Sequence, residues 1–362
     1  MSTDRPVPSP AAAAALRPTP PPEVTAWAED RAEARAHRDW QRADALKASI
    51  EGAGWRIEDA GRAWSLFPAV PPDVVVDGVT RYGSAASVPS VLADPPTAAA
   101  TVAVVTEDDP GALLRLVRSV QDRAPAGTQM VIVGNDPDPA WDAPLAAAAG
   151  LAADGAAGDA RGPHDVEVVR TSTRLGAAAA ANAALRRARG AVIILAGPAV
   201  ELTGDAVSPL IGALADPGVA VAGAFGSIAT ELPHLAESAS SEPDTIGGAW
   251  LAFRRADYLR LGPLDERFGQ PAFLDAWWSL SLRAGDDPGA RPRRAVRMDL
   301  PLVRHQGDPG SAPAAQDPPA ADAATRRGRQ ARRNGYRLLD RFRDRPDLLA
   351  ARSAASAGAA GD

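Results

Sequence analysis

"TVAVVTEDDPGALLRLVRSVQDRA", residues 101–124, changes rhythm halfway along. Its opening residues form an apolar, β-branched run, the pattern of a strand covered on both faces. Three acids end that run: Glu107, Asp108 and Asp109. Asp109 suits a helix N-cap and Pro110 the first helical position, and the residues behind them are amphipathic at helical spacing. A buried strand therefore passes through a cluster of acids into a surface helix.

The same alternation continues on both sides of that unit. "QMVIVGND" (129–136), "VEVVRTS" (166–172) and "AVIILAG" (191–197) read as three more buried strands. "GAAAAANAALRRARG" (176–190), closed by Gly190, and "DAVSPLIGALAD" (205–216) read as helices between or after them. Strands alternating with helices of this length predict an α/β domain whose mostly parallel sheet is flanked by helices. In such sheets ligands sit at the carboxyl ends of the strands. "TEDD", "GNDPD", "RTSTRLG" and "AGPAVE" all fall there. Between the second and third strands, "AAAAGLAADGAAGDARG" (146–162) reads as a loose insertion.

The bulk numbers narrow the class. A chain of 362 residues accommodates one large α/β domain and a small one. A net charge of −6 argues against a protein built to coat nucleic acid. With no cysteine there is no disulfide, thiolate zinc site or cysteine nucleophile. The apolar stretch near the N-terminus is too short for a signal-peptide core, and no run approaches the roughly 20 apolar residues that span a bilayer. The expected setting is cytoplasmic, with peripheral contact to the inner membrane face left open.

Residues 1–22 are a Pro/Ala-rich tail expected to be disordered. From Glu23 to residue 67 the texture is a helical hairpin, breaking near His37–Asp39, followed by a strand, a turn and a strand. Asp39-Trp40, Ala43-Asp44, Leu46, Gly54-Trp55, Asp59, Gly61 and Trp64 resemble the C-terminal extension of cysteinyl-tRNA synthetases. The synthetase's catalytic motifs are absent from the chain, so the resemblance implies a packing or docking module ahead of a tRNA binder. Residues 68–100 read as a Pro/Ser/Ala-rich linker. Residues 309–362 read as a linker and a basic helix, "TRRGRQARRNGYRLLDRFRDRPDLL", docked on the main domain or facing anionic lipid.

Over roughly 101–306 the order of the pieces resembles family 2 glycosyltransferases, which have the GT-A fold. The opening strand and helix, the Leu175-Gly176, Ala180, Asn182, Ala188 and Gly190 segment, "GGAWLAFRRADYLRLGPLDERF", "FLDAWWSLSLRAG" and "LPLVRHQG" carry the resemblance. It implies transfer of a sugar from a nucleotide-diphosphate donor to an acceptor hydroxyl, with glycan or lipid-linked acceptors in cell-envelope polysaccharide synthesis as the family habit. Asp275 stands at the position of the general base, where a helix-capping role is the alternative. Asn135 or Asp136 stands at the nucleotide position, where an ordinary turn also explains "NDPDP"; Glu107 lies close by. Arg254, Arg255 and Asp265 join them as substrate contacts.

Two turns depart from the family pattern, and in the first the usual Val-Asp-(Asn/Asp) is Val133-Gly134-Asn135, with the acid displaced to Asp136. In "ILAGPAVELTGD" (194–205) a metal-binding acid belongs at about Gly197–Ala199, and no carboxylate is there. Glu201 with His305 is the remaining candidate pair for a divalent ion, Mg or Mn. Arg254, Arg255 or Arg304 could instead neutralise the diphosphate. A third reading is a catalytically degenerate GT-A protein that binds or scaffolds.

Overall fold

The computed structural model describes residues 19–60, 63–154, 165–285, 291–305 and 321–349. The expected tail up to residue 18, the end of the 146–162 insertion and the linker ahead of the basic helix lie outside these residues. The chain divides into two compact units, Met1–Val76 and Asp77–Asp362.

The first unit holds helices α1 (Pro22–Ala36) and α2 (Trp40–Gly52), then strands β1 (Trp55–Ala60), β2 (Ala63–Pro68) and β3 (Val74–Val76). Asp39 starts α2 by accepting the Arg42 amide at 3.1 Å. β1 and β2 pair antiparallel, Trp55 opposite Pro68. Val24, Ala28, Ile50, Trp55 and Ile57 form the core of this unit. Beside it, Arg31 makes a two-pronged bond to Asp59, at 2.9 and 3.0 Å.

The second unit is the α/β body. Its strands are β4 (Val79–Tyr82), β5 (Ala98–Thr106), β6 (Gln129–Gly134), β7 (Val166–Thr171), β8 (Gly190–Ala196), β9 (Val200–Leu202), β10 (Val219–Gly223), β11 (Gly226–Glu231), β12 (His234–Ser238), β13 (Thr245–Ile246), β14 (Trp250–Arg254), β15 (Arg294–Arg297) and β16 (Leu302–Arg304). Its helices are α3 (Pro110–Arg123), α4 (Asp142–Asp154), α5 (Ala177–Leu185), α6 (Ser208–Ala215), α7 (Arg255–Leu261), α8 (Leu274–Ala284) and α9 (Ala321–Phe342). The main sheet runs β15-β10-β14-β8-β5-β6-β7-β4. Its strands are parallel apart from β14, which lies antiparallel to both β8 and β10.

Alternation along these strands builds two cores. Val102, Val104, Met130, Ile132, Ile194 and Ala252 face one side, packed with Leu113, Leu116 and Val120 of α3. Ala103, Val131, Val133, Ile193, Leu251 and Phe253 face the other, packed with α5 and Trp278 of α8. Both faces are covered, which is why the strands read as continuous apolar runs rather than alternating ones. A third cluster joins Ala276 and Leu280 of α8 to Leu338 and Phe342 of α9 and to Leu348 and Leu349. The C-terminal helix is thus docked, although its Tyr336 stays exposed. No helix among the described residues is long and apolar enough to cross a membrane.

Three local expectations change. The 68–100 linker contains β4, which pairs with β7 through Arg81 opposite Arg170. Arg81 is buried and bonded to Asp142 at 2.9 Å and to the Pro137 carbonyl at 3.1 Å, which fixes that short edge strand. The insertion begins as the regular helix α4. Gly190 opens β8 instead of closing α5, which ends at Leu185.

Candidate active site

Strand register brings Thr106, Gly134 and Ala196 to one edge: Thr106 lies opposite Gly134, and Val104 opposite Ala196. β14 starts at that edge, with Trp250 opposite Ala196. The Gly197 amide extends the pairing by donating to the Ala249 carbonyl at 2.8 Å. The residues just before β14, Gly247–Ala249, therefore stand beside the turn that follows β8.

At the ends of β5 and β6, Asn135 is fully buried. Its Nδ2 donates to Glu107 Oε1 at 2.5 Å and to the Leu175 carbonyl at 3.0 Å, and its Oδ1 accepts the Leu175 amide at 2.8 Å. Both amide protons are spent on these bonds. Asn135 therefore holds Glu107 and the Leu175 peptide in place, and its amide does not face outward as a donor. Burial pushes the Glu107 carboxyl above its ordinary range, opposed by the Asn135 bond and by Arg174. Arg174, half exposed, gathers three carboxylates: Asp136 at 2.6 Å, Asp108 at 3.4 Å and Glu107 at 3.7 Å. Asp136 also accepts the Asp138 amide at 3.0 Å, so it does serve a turn as well. Arg174 was not among the sequence candidates; "RTSTRLG" at the end of the third strand was the signal for it.

Asp275 lies in the first turn of α8, behind Phe273, which has left-handed backbone (φ 65). Its Oδ2 accepts the Gly248 amide at 2.9 Å and its Oδ1 the Ala276 amide at 2.8 Å. One turn on, Ser279 Oγ bonds both the amide and the carbonyl of Ile246, each at 3.2 Å. Residues four apart share a helix face, so α8 grips the 246–248 segment at two points. Burial raises the Asp275 pKa, and the amides of Gly248, Ala276 and Asp275 itself pull it back. The bonds Asp275–Gly248 and Ala249–Gly197 place this carboxylate one peptide link from the turn after β8.

That turn leads into β9, which pairs antiparallel with β16, Val303 opposite Glu201. Glu201 Oε2 and His305 Nε2 meet at 2.7 Å, both side chains well exposed. The His305 amide donates to the Ala199 carbonyl at 2.9 Å. The neighbouring Arg304 lies over the Phe225 ring at 4.7 Å and pairs with Glu237 at 3.1 Å. Among the described residues no group of three or more His, Asp or Glu converges as a metal site. The Glu201–His305 pair supplies one carboxylate and one imidazole. That donor set suits Mg or Mn only when substrate oxygens and waters fill the other positions.

Two sequence candidates lie elsewhere, and a third is bound up with a neighbour. β14 runs against its neighbours, so Arg254 sits opposite Val192, at the far edge of the sheet from Ala196. Arg254 donates to the carbonyls of Val219 and Asp216, at 2.7 and 2.5 Å. Arg255 is buried on the carbonyls of Ala188, Val91 and Asp94. Asp265 spends its carboxylate on Arg267, whose guanidinium holds it below the usual carboxylate range. Arg254 and Arg255 are therefore not offered to the carboxyl edge of the sheet, and the Asp265 carboxylate is taken up by Arg267.

Residues 101–257 match the family described as Glycosyl transferase family 2. A 60-residue segment is 38% identical to Cysteine--tRNA ligase 1 of Burkholderia lata, covering 14% of this chain and 13% of that protein. Similar solved structures include GalNAc-T7 with UDP, GalNAc and Mn2+ (15% identity, 68% of this chain, 48% of that chain, TM-score 0.48). They also include the mannosyltransferase PcManGT of Pyrobaculum calidifontis with GDP-Man and Mn2+ (16% identity, 76% and 82% covered, TM-score 0.46). A third is TarS of S. aureus (12% identity, 56% and 36% covered, TM-score 0.40).

Proposed function

We propose that the chain is a GT-A glycosyltransferase of the family 2 type, moving a sugar from a nucleotide-diphosphate donor to an acceptor hydroxyl. The observation that carries this reading is the presence of two clusters at neighbouring strand ends of the carboxyl edge, within and beside the region that matches the family. One cluster is Glu107, Asp136 and Arg174, set by Asn135. The other is Asp275 on Gly248, next to the turn that leads into β9, where Glu201 meets His305.

In this reading Glu107 and Asp136 accept hydrogen bonds from the nucleoside, and Arg174 meets negative charge. Asp275 takes the acceptor proton as the hydroxyl attacks the sugar carbon and the nucleotide diphosphate leaves. A residue in this role contributes about 10²–10⁴-fold in rate. Glu201 and His305 would hold a divalent ion, whose chemistry is to neutralise charge on the leaving diphosphate. Arg304, on the same strand as His305's approach, supplies fixed positive charge there. The cell-envelope acceptor and the cytoplasmic setting remain part of the proposal, and the first unit is read as a docking module.

A second reading has its own observation. The Gly197-Pro198-Ala199 turn carries no carboxylate, which favours a protein that kept nucleotide binding and lost transfer. Incubation with UDP- and GDP-sugars, with and without Mn2+, separates the two. The transferase reading expects release of nucleoside diphosphate, lost in Asp275→Asn. Nucleotide binding without turnover under any of these conditions would establish the second reading instead.

A further inference from the structure

We propose that Asn334, on the C-terminal helix, is a positioning residue: it anchors the loop that joins the Asn135 clamp to Asp275. The inference rests on the transferase reading of Asp275 given above. It makes α9 a working part of the site as well as a docked helix.

Asn334 is fully buried, and its amide is fully used. Nδ2 donates to the carbonyls of Gln270 and Ala272, at 3.1 and 2.9 Å, and Oδ1 accepts from Arg337 Nη1 at 3.0 Å. Asn is a weak helix former because its side chain competes for backbone groups. Here its donors reach across to another segment's backbone, which gives this residue type a purpose in a helix interior. Next to it Gly335 faces the same segment: an added Cβ would sit in ordinary van der Waals contact with Phe273 and Pro233, 3.5 Å from each. Arg337 lies 5.9 Å over the Phe268 ring.

The anchored loop, 268–273, touches both halves of the site. At one end the carbonyls of Phe268 and Gly269 accept the amides of Ala178 and Ala177, at 3.1 and 3.2 Å. Those amides open α5, two residues past Leu175, whose peptide clamps Asn135. Gly176 fits tightly there, an added Cβ falling 3.0 Å from Gly269 Cα. At the other end the Leu274 amide donates to the Pro271 carbonyl at 2.9 Å, and the left-handed Phe273 leads into Asp275. A non-glycine residue in that conformation persists only when its surroundings hold it. Asn334 supplies two of the bonds that do so. Leu338 and Phe342 keep α9 docked independently, so loss of the Asn334 bonds acts on the loop and not on the helix.

The test uses the full chain as wild type, Asn334→Ala, Asn334→Asp and the exposed control Arg341→Ala. Asn334→Asp keeps the volume and replaces donors by acceptors. Amide exchange followed by mass spectrometry is expected to quicken in 268–276 and 175–179 in both Asn334 variants, with 110–123 unchanged and Arg341→Ala at wild type. Turnover is expected to fall about tenfold or more, as small misplacements of reacting groups do, with a smaller loss of nucleotide affinity, read as Kd, through the 175–179 segment. Unchanged exchange in 268–276 would overturn the proposal. So would faster exchange throughout the unit, failure of both Asn334 variants to fold, or wild-type turnover with a loosened loop. If wild type turns over no donor, the transferase reading fails, and the exchange pattern alone still decides whether Asn334 anchors the loop.

Discussion

Asp275 meets two demands that pull in opposite directions. In the proposed role of base it must be ionised, yet burial favours its neutral form and raises its pKa, with the Gly248, Ala276 and Asp275 amides opposing. The ionised, active fraction therefore falls as pH drops through a value above the ordinary aspartate range. Turnover of wild type is expected to show an acid limb there, measured as a pH–rate profile, and the residual rate of Asp275→Asn is expected to lack it. The start of "DAWWSLSLRAG" made this residue legible in the sequence. Asn135 was legible only as a position. That its amide is spent inward on Glu107 and Leu175 depends on a segment 40 residues further along the chain, which no local pattern records. The contacts of Arg174, though not its position, were hidden for the same reason: its three carboxylates come from two other strand ends.

Among elements, strand direction decides where side chains finish. "WLAF" announces a buried strand but carries no sign of its direction, so the sequence does not show that Arg254 and Arg255 follow at the edge away from Ala196. Gly190 shows a similar limit: a glycine after a helical run suggests a helix end, while its job is to let β8 approach β5. An added Cβ there would lie 2.3 Å from the Thr101 nitrogen, a backbone atom that cannot swing away. Gly190→Ala is expected to cost about 1–3 kcal/mol or more, read from urea unfolding. In the first unit, Asp59 compensates Arg31, whose side chain is 7% exposed. Asp59 is itself a third exposed, but Asp59→Ala still leaves that cation short of its two-pronged partner, and the expected loss is about 1–3 kcal/mol, measured in the same way.

At the scale of the molecule, the alternating runs from Thr101 onward were enough to give an α/β body with both faces covered. The main-sheet strands that alternation did not reach, β4, β10 and β15, are short, of four or five residues. The role of α9 was legible only in part, because Leu338 and Phe342 mark an apolar side without showing what covers it. The central claim is that one edge of the main sheet receives a nucleotide diphosphate. Amide exchange of the full chain, with and without UDP or GDP and Mn2+, tests it most directly. Protection is expected at 106–108, 134–136, 174–176, 197–201 and 247–249, with 254–260 and 293–294 unchanged. Protection confined to those last two segments, or none at saturating nucleotide, would contradict it.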